Sequence, residues 1–180
     1  EPTFAILKHN NPCGTACRST VKEAYLDALA GDPVSAYGGV LVCNRPIDLD
    51  AAQDINKLFI EVIVAPEYEE GVLDILFSKK NRVILKLKAD QYKAKVVKTA
   101  LNGYLVQDRD LHTETADDFK VITTKAPTAA EIEDMIFANK IVKHSRSNAI
   151  VLAKGKQLCA SGIGQTSRID ALKQAIEKAK

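Results

Sequence analysis

An α/β layered fold is predicted by three observations. Short apolar runs alternate with segments of helical periodicity, and capping signatures open several of those segments. The 180 residues are 46% apolar and 27% charged, which is ordinary globular composition and excludes a disordered or collagen-like chain. A chain of this length can bury roughly 70% of its unfolded surface, so one domain is the default. The net charge of +2 shows no basic excess, which argues against recognition of nucleic acid by bulk electrostatics. No apolar run approaches the ~18 residues of a membrane span; the longest, residues 58–64, is interrupted by Glu61. With no basic, apolar leader at Glu1, a cytoplasmic protein without a membrane is expected. Cys13, Cys17, Cys43 and Cys159 are too sparse for a disulfide scaffold and read as reduced thiols. The missing initiator Met and the stop at Lys180 inside a helical pattern lead us to expect a piece of something longer.

Residues 3–8 form a buried strand that empties into the polar Lys8-His9-Asn10-Asn11 loop. Thr20 and Glu23 have capping-box spacing and open a helix with Tyr25, Ala28 and Leu29 on one face, stopped at Gly31-Asp32-Pro33. Residues 38–43 are a second strand whose glycines allow close backbone approach. Asp50 with Gln53 is expected to cap a helix to about Lys57, and residues 59–64 form a third strand, stopped by Ala65-Pro66. Residues 67–77 read as a helix with Val72, Leu73 and Leu76 inward, and residues 82–87 as a fourth strand. Asn102-Gly103 begins a turn and strand to Gln107. The polar, acidic stretch that follows makes residues 108–127 the expected linker between units at 1–107 and 128–180. Thr128 with Glu131 is a second capping box, continued by Ile132, Met135, Ile136 and Asn139. Residues 147–153 read as a strand, and Ser161-Gly162-Ile163-Gly164-Gln165 as a loop. A last helix carries Ile169, Leu172 and Ile176 on one stripe.

Four places can carry chemistry. Lys8-His9 lies where the first strand ends, and a base near neutral pKa beside a cation suits deprotonation of an amine while charge builds on a carbonyl oxygen. Lys143-His144-Ser145-Arg146-Ser147-Asn148 offers polar side chains to a small ligand, or carbonyls to a monovalent cation. Gly164-Gln165-Thr166-Ser167-Arg168 leads into a helix start, where free N–H groups attract anions and Arg168 adds a bidentate fork. It is neither a Walker loop nor a G-x-G-x-x-G turn. Glu61 is surrounded by apolar neighbours; burial of an unpaired carboxylate costs several kcal/mol, so a polar ligand or paired base is expected there. His112-Thr113-Glu114 matches half of a zinc-deaminase signature, but the order is reversed and the cysteines are wrongly spaced, so no metal is expected.

Taken together, six ordered blocks resemble AICAR transformylase, the folate-dependent part of the bifunctional purine-biosynthesis enzyme that also carries IMP cyclohydrolase. They are Lys8 to Gly14, Asp32 to Gly39, Phe59 to Pro66, Asn102 to Asp110, Lys143 to Ile150 and Gly164 to Arg168. The resemblance implies a three-layer α/β/α, cytidine-deaminase-like sheet domain without the deaminase zinc, with part of a second similar unit. It implies transfer of a formyl group from 10-formyltetrahydrofolate to the 5-amino group of AICAR, as a step of IMP synthesis. Carried over block by block, His9 is the proton acceptor and Lys8 stabilises the transition state. Tyr37, Gly38, Glu61, Asn148 and Arg168 contact AICAR, and Ile169 lies on the folate side. A potassium ion near Ser145 and Ser147, and a homodimer, also follow from the resemblance. The family loop G-I-G-A-G-Q departs here to Ala160-Ser161-Gly162-Ile163-Gly164-Gln165. No Phe-Pro-Phe-Arg-Asp segment is present, so low activity of this piece alone is expected. The competing readings are a non-catalytic α/β module that binds a phosphoribosyl ligand, and a zinc hydrolase or deaminase.

Overall fold

The computed structural model describes residues 1–88 and 94–179. Among these residues nine strands and five α-helices follow in the order β1 (Thr3–Lys8), β2 (Asn11–Cys17), α1 (Val21–Gly31), β3 (Gly39–Cys43), α2 (Leu49–Ile55), β4 (Ile60–Ala65), α3 (Val72–Phe77) and β5 (Val83–Lys86). They continue as β6 (Lys95–Ala100), β7 (Gly103–Asp108), α4 (Ala129–Lys143), β8 (Ile150–Lys154), β9 (Gln157–Gly162) and α5 (Arg168–Lys178). Seven strands make one mixed sheet in the order β5-β4-β3-β1-β2-β9-β8, and β6 with β7 forms a separate two-stranded ribbon. The chain is therefore α/β with a central sheet flanked by helices in an α/β/α arrangement.

The alternation of β1 separates the two sides of the sheet. Phe4 and Ile6 are fully buried and join Tyr25 and Ala28 of α1 in the main core. The Phe4 and Tyr25 rings meet edge to face at 5.2 Å. Thr3, Ala5 and Leu7, pointing the other way, line a groove of about 840 Å³ whose far wall is Phe137 and Ile141 of α4. So α4 lies across the sheet from α1, while α5 is on α1's side, where Lys178 reaches Asp32 at 3.8 Å. Gly14 and Gly162 permit these helices to seat closely: a Cβ at either would overlap the carbonyl of Ala28 in α1 or of Ala171 in α5.

Both capping boxes form as read. Thr20 accepts from the Glu23 N–H of α1, and Thr128 from the Glu131 N–H of α4. Several expectations are corrected. The loop expected at Lys8 to Asn11 shrinks to the two-residue turn His9-Asn10, whose φ values of 49° and 67° give a tight hairpin between β1 and β2, a strand the sequence reading did not place. The cap of α2 is Asp48, not Asp50: its Oδ1 accepts from the Ala51 N–H at 2.7 Å. The helix expected over 67–77 is confined to α3, with Val72 and Leu76 buried but Leu73 40% exposed. Strand β6 was not anticipated; its lysines at 95 and 98 around two adjacent valines gave no clean alternation. Ser161 and Gly162 belong to β9 rather than to a loop. In α5 the small residues Ala171 and Ala175 face the sheet, and Ile169, Leu172 and Ile176 point outward, because close seating at Gly162 favours alanines beneath the helix. In α4 the buried residues are Phe137 and Ile141, not Met135.

The segment expected as a linker runs irregularly, with one 3-10 turn at Ala116–Asp118. It leans on α4 through bonds from Lys143 Nζ to the His112 carbonyl and from Asn139 to Glu114. Strands β8 and β9, on its far side, enter the main sheet through β2, where Ala16 opposes Gln157. Arg18 fastens this junction: it pairs with Asp27, and its guanidinium donates to the Gly155 carbonyl at 2.8 Å and to Gln157 Oε1 at 3.0 Å. At the level of the sheet, residues from both sides of 108–127 form one structure.

Candidate active site

The candidate residues gather along one end of the sheet. Strand β1 ends at Lys8, opposite the start of β2 at Asn11; β3 and β4 begin there, and β9 ends and β8 begins there, with Ile150 opposite Gly162. They fall into two groups along that edge.

The first group is built around Lys8. Its ammonium is half-buried and donates to the main-chain oxygens of Tyr37 at 2.6 Å and Gly38 at 3.1 Å. Gly38 has φ +66°, a left-handed conformation that favours glycine, and its N–H donates to the Phe59 carbonyl at 2.8 Å. The preceding turn is tied by Asp32, whose carboxylate accepts from both the N–H and the hydroxyl of Ser35. Tyr37, 62% exposed, places its ring 5.1 Å from that of Phe59. His9 stands at the hairpin tip, exposed and left-handed, beside Lys8.

Glu61 joins this group and is exposed, so its carboxylate lies on an open strand face rather than buried with a purpose. The reason is a β-bulge. Gly39 opposes Ile60 and Val40 opposes Val62, leaving Glu61 as the extra residue on β4, and the bulge turns its carboxylate outward. Alternation read from the sequence fails at that residue because the bulge breaks the two-residue period.

The second group is Asn148, Arg168 and Ile169. Asn148 Nδ2 donates to the carbonyls of Gln165 and Thr166, both at 3.1 Å, so the side chain staples the loop that delivers Arg168. Its Oδ1 is left to accept a hydrogen bond. Arg168 is exposed in the first turn of α5, whose cap Ser167 accepts from the Asp170 N–H. Among the described residues Arg168 makes no hydrogen bond or ion pair. Ile169 is 60% exposed.

Strands β2 and β9 stand between β1 and β8, so those two strands are about 14 Å apart, three strand spacings, and β3 and β4 lie farther still from β8. Neither the groove against α4 nor a cavity of about 420 Å³ between Asp32 and Ser161 is lined by members of both groups. The smaller cavity lies along the edge between them. Its Cys13 thiol is pushed up to about 11 by burial and by the charge of Asp32, which makes it a poor nucleophile.

Ser145 Oγ donates to the Ile141 carbonyl at 3.0 Å, closing the end of α4. Among the described residues no three His, Cys, Asp or Glu side chains converge on a point that would hold a metal ion. No described helix is long and apolar enough to cross a membrane. Sequence reasoning missed Phe59 and Arg82 as supports of this edge. Arg82 is buried, and its guanidinium donates to the Leu76 carbonyl at 3.2 Å and the Leu58 carbonyl at 3.4 Å. A lone arginine before a strand carries no local signal of such a role.

The AICARFT/IMPCHase bienzyme family matches residues 1–178. The bifunctional purine biosynthesis protein PurH of Bacteroides thetaiotaomicron is 65% identical over 178 residues, 99% of this chain and 35% of that protein. The proteins of the same name from Acetivibrio thermocellus and Aquifex aeolicus are each 47% identical, over 98% and 100% of this chain and 35% of theirs. The chain thus spans about a third of the length of the curated relatives it matches. With the family matched over nearly its whole length and two-thirds identity to one member, the chain belongs to the AICARFT/IMPCHase bienzyme family.

Proposed function

We propose that this chain supplies part of the site that transfers a formyl group from 10-formyltetrahydrofolate to the 5-amino group of AICAR, giving formyl-AICAR in IMP synthesis. The observation that carries this reading is Lys8, fixed by two main-chain oxygens beside an exposed His9 at the hairpin tip. An ammonium has three N–H donors; two are committed to Tyr37 and Gly38, leaving one for a carbonyl oxygen that becomes negative as the amine attacks. The amine nitrogen bonds the formyl carbon, the bond from that carbon to the folate nitrogen breaks, and His9 accepts the proton the amine loses. His9 passes that proton on to the folate nitrogen as it leaves, so no net charge or proton is gained or lost.

Tyr37, Gly38 and Glu61 sit where the AICAR ring and ribose would lie, and Arg168 at the start of α5 suits the phosphate. Asn148 Oδ1 would accept from a ligand N–H, and Ile169 would face the folate. A potassium ion near Ser145 and Ser147 would have to use main-chain carbonyls, since the Ser145 hydroxyl is engaged. We place the family's boundary between units at 108–127, between 1–107 and 128–180. A cytoplasmic homodimer is part of the same reading, as is low activity of this piece alone.

His9→Asn tests the assignment best, because Asn tolerates φ +49° and cannot serve as the base. In the full-length polypeptide kcat should fall about 10²- to 10⁴-fold with AICAR affinity retained. Lost affinity at unchanged kcat would remove His9 from the role. The two intervening strands, and the lack of a shared cavity among the described residues, favour one alternative, a non-catalytic module that binds a phosphoribosyl ligand at Asn148 and Arg168. Calorimetry with AICAR on Lys8→Ala and Arg168→Ala variants separates the two readings, since the alternative leaves formyl transfer undetectable in every form.

A further inference from the structure

We propose that Phe59 is a positioning residue that aims the Lys8 ammonium, an inference that rests on the role given to Lys8 above. The oxygens that hold Lys8 belong to the Tyr37-Gly38 turn, and from the β4 side Phe59 contacts both the backbone and the ring of that turn. The Phe59 carbonyl accepts the Gly38 N–H at 2.8 Å. The Phe59 ring lies tilted by 40° against Tyr37, with centroids 5.1 Å apart. It also closes over Gly38: a Cβ on that glycine would stand 3.5 Å from Phe59 Cε1 and 3.0 Å from Lys8 Nζ. Lysine and phenylalanine therefore flank the same glycine.

The position of Phe59 is itself set from behind. The buried Arg82 guanidinium donates to the carbonyl of Leu58, the residue before it, and to Asn56 Oδ1 at 2.9 Å. Phe59 takes no part in the core and remains 50% exposed. A large ring left half in water beside a polar cluster is not explained by burial, whereas support of a left-handed turn explains its place. Two carbonyls orient a flexible lysine only if they are themselves fixed, and misplacement of about 1 Å can cost 10²-fold in rate.

The test compares wild type, Phe59→Ala and Phe59→Tyr in the full-length polypeptide, with two readouts. The first is modification of the Lys8 amine by acetic anhydride, quantified by mass spectrometry, which requires no turnover. The second is kcat and KM for formyl transfer to AICAR. Loss of the ring should raise Lys8 modification severalfold and lower kcat about 10- to 100-fold with KM nearly unchanged, and Phe59→Tyr should restore both. Unchanged Lys8 modification in a folded Phe59→Ala variant overturns the proposal, as does equal loss in Phe59→Tyr. If wild type transfers no formyl group while Lys8 modification still follows the ring, the positioning stands and the functional reading falls. Should Phe59→Ala not fold, Phe59→Leu, which keeps bulk without the aromatic contact, is judged by the same criteria.

Discussion

Replacing Gly38 by alanine separates backbone strain from loss of the site. At φ +66° an L residue costs about 1–2 kcal/mol, because its Cβ crowds the neighbouring carbonyl. The new Cβ would stand 3.0 Å from Lys8 Nζ, the far end of a flexible side chain, and 3.5 Å from Phe59. Lys8 can swing away at little cost in stability, but it then loses the Tyr37 and Gly38 carbonyls. Gly38→Ala should therefore lower stability by about 1–2 kcal/mol, a Tm decrease of about 2–8 °C for a chain of this size, and raise chemical modification of Lys8. Gly14→Ala is the contrast. Its Cβ would meet the Ala28 carbonyl, which cannot yield unless α1 lifts from the sheet, so overpacking costs about 1–3 kcal/mol or more while the Lys8 environment is unchanged. Urea denaturation followed by circular dichroism gives the stabilities, and mass spectrometry of acetylated protein reads Lys8. A Gly38→Ala variant of wild-type stability with Lys8 modified at the wild-type rate would refute the reasoning.

Thr128→Ala removes the side-chain half of the capping box on α4, leaving the backbone N–H of residue 128 to Glu131, and should cost about 1 kcal/mol, measured by the same denaturation. Arg18→Ala unfastens the β8–β9 hairpin from α1, so hydrogen exchange of Lys156 and Gln157 amides should quicken relative to β3, and equal protection would dismiss the staple. Cys13, with its thiol raised to about 11, should resist alkylation at pH 8 until the chain unfolds. The sign of its pH effect follows directly: above the ordinary thiol pKa the unfolded chain releases a proton that the folded chain keeps, so stability present below about pH 9 is lost towards pH 11. Cys13→Ser should flatten that alkaline decline.

The helices with polar start signals were legible in sequence. Thr20/Glu23 and Thr128/Glu131 are contacts between residues three apart, which need no tertiary context. The same holds for β1, β3 and β5, whose apolar runs are continuous, and for β4, whose run is broken only by Glu61. Asn11 misled, since a residue read as loop opens a strand once the left-handed His9-Asn10 pair folds the chain back on β1. Glu61 misled for a related reason: its exposure comes from a bulge against β3, a mismatch of two strands that neither strand's own residues reveal.

Local order along the chain was thus enough to name the layered fold, the Lys8-His9 pair and Arg168 at a helix start. What waited for three dimensions was their relation. Sheet order places β2 and β9 between the two groups, and strand pairing brings Tyr37, Gly38 and Phe59 to Lys8 from residues 29 to 51 positions away. Such contacts depend on register between distant strands, and a side chain's neighbours across a sheet leave no mark on the residues beside it in sequence.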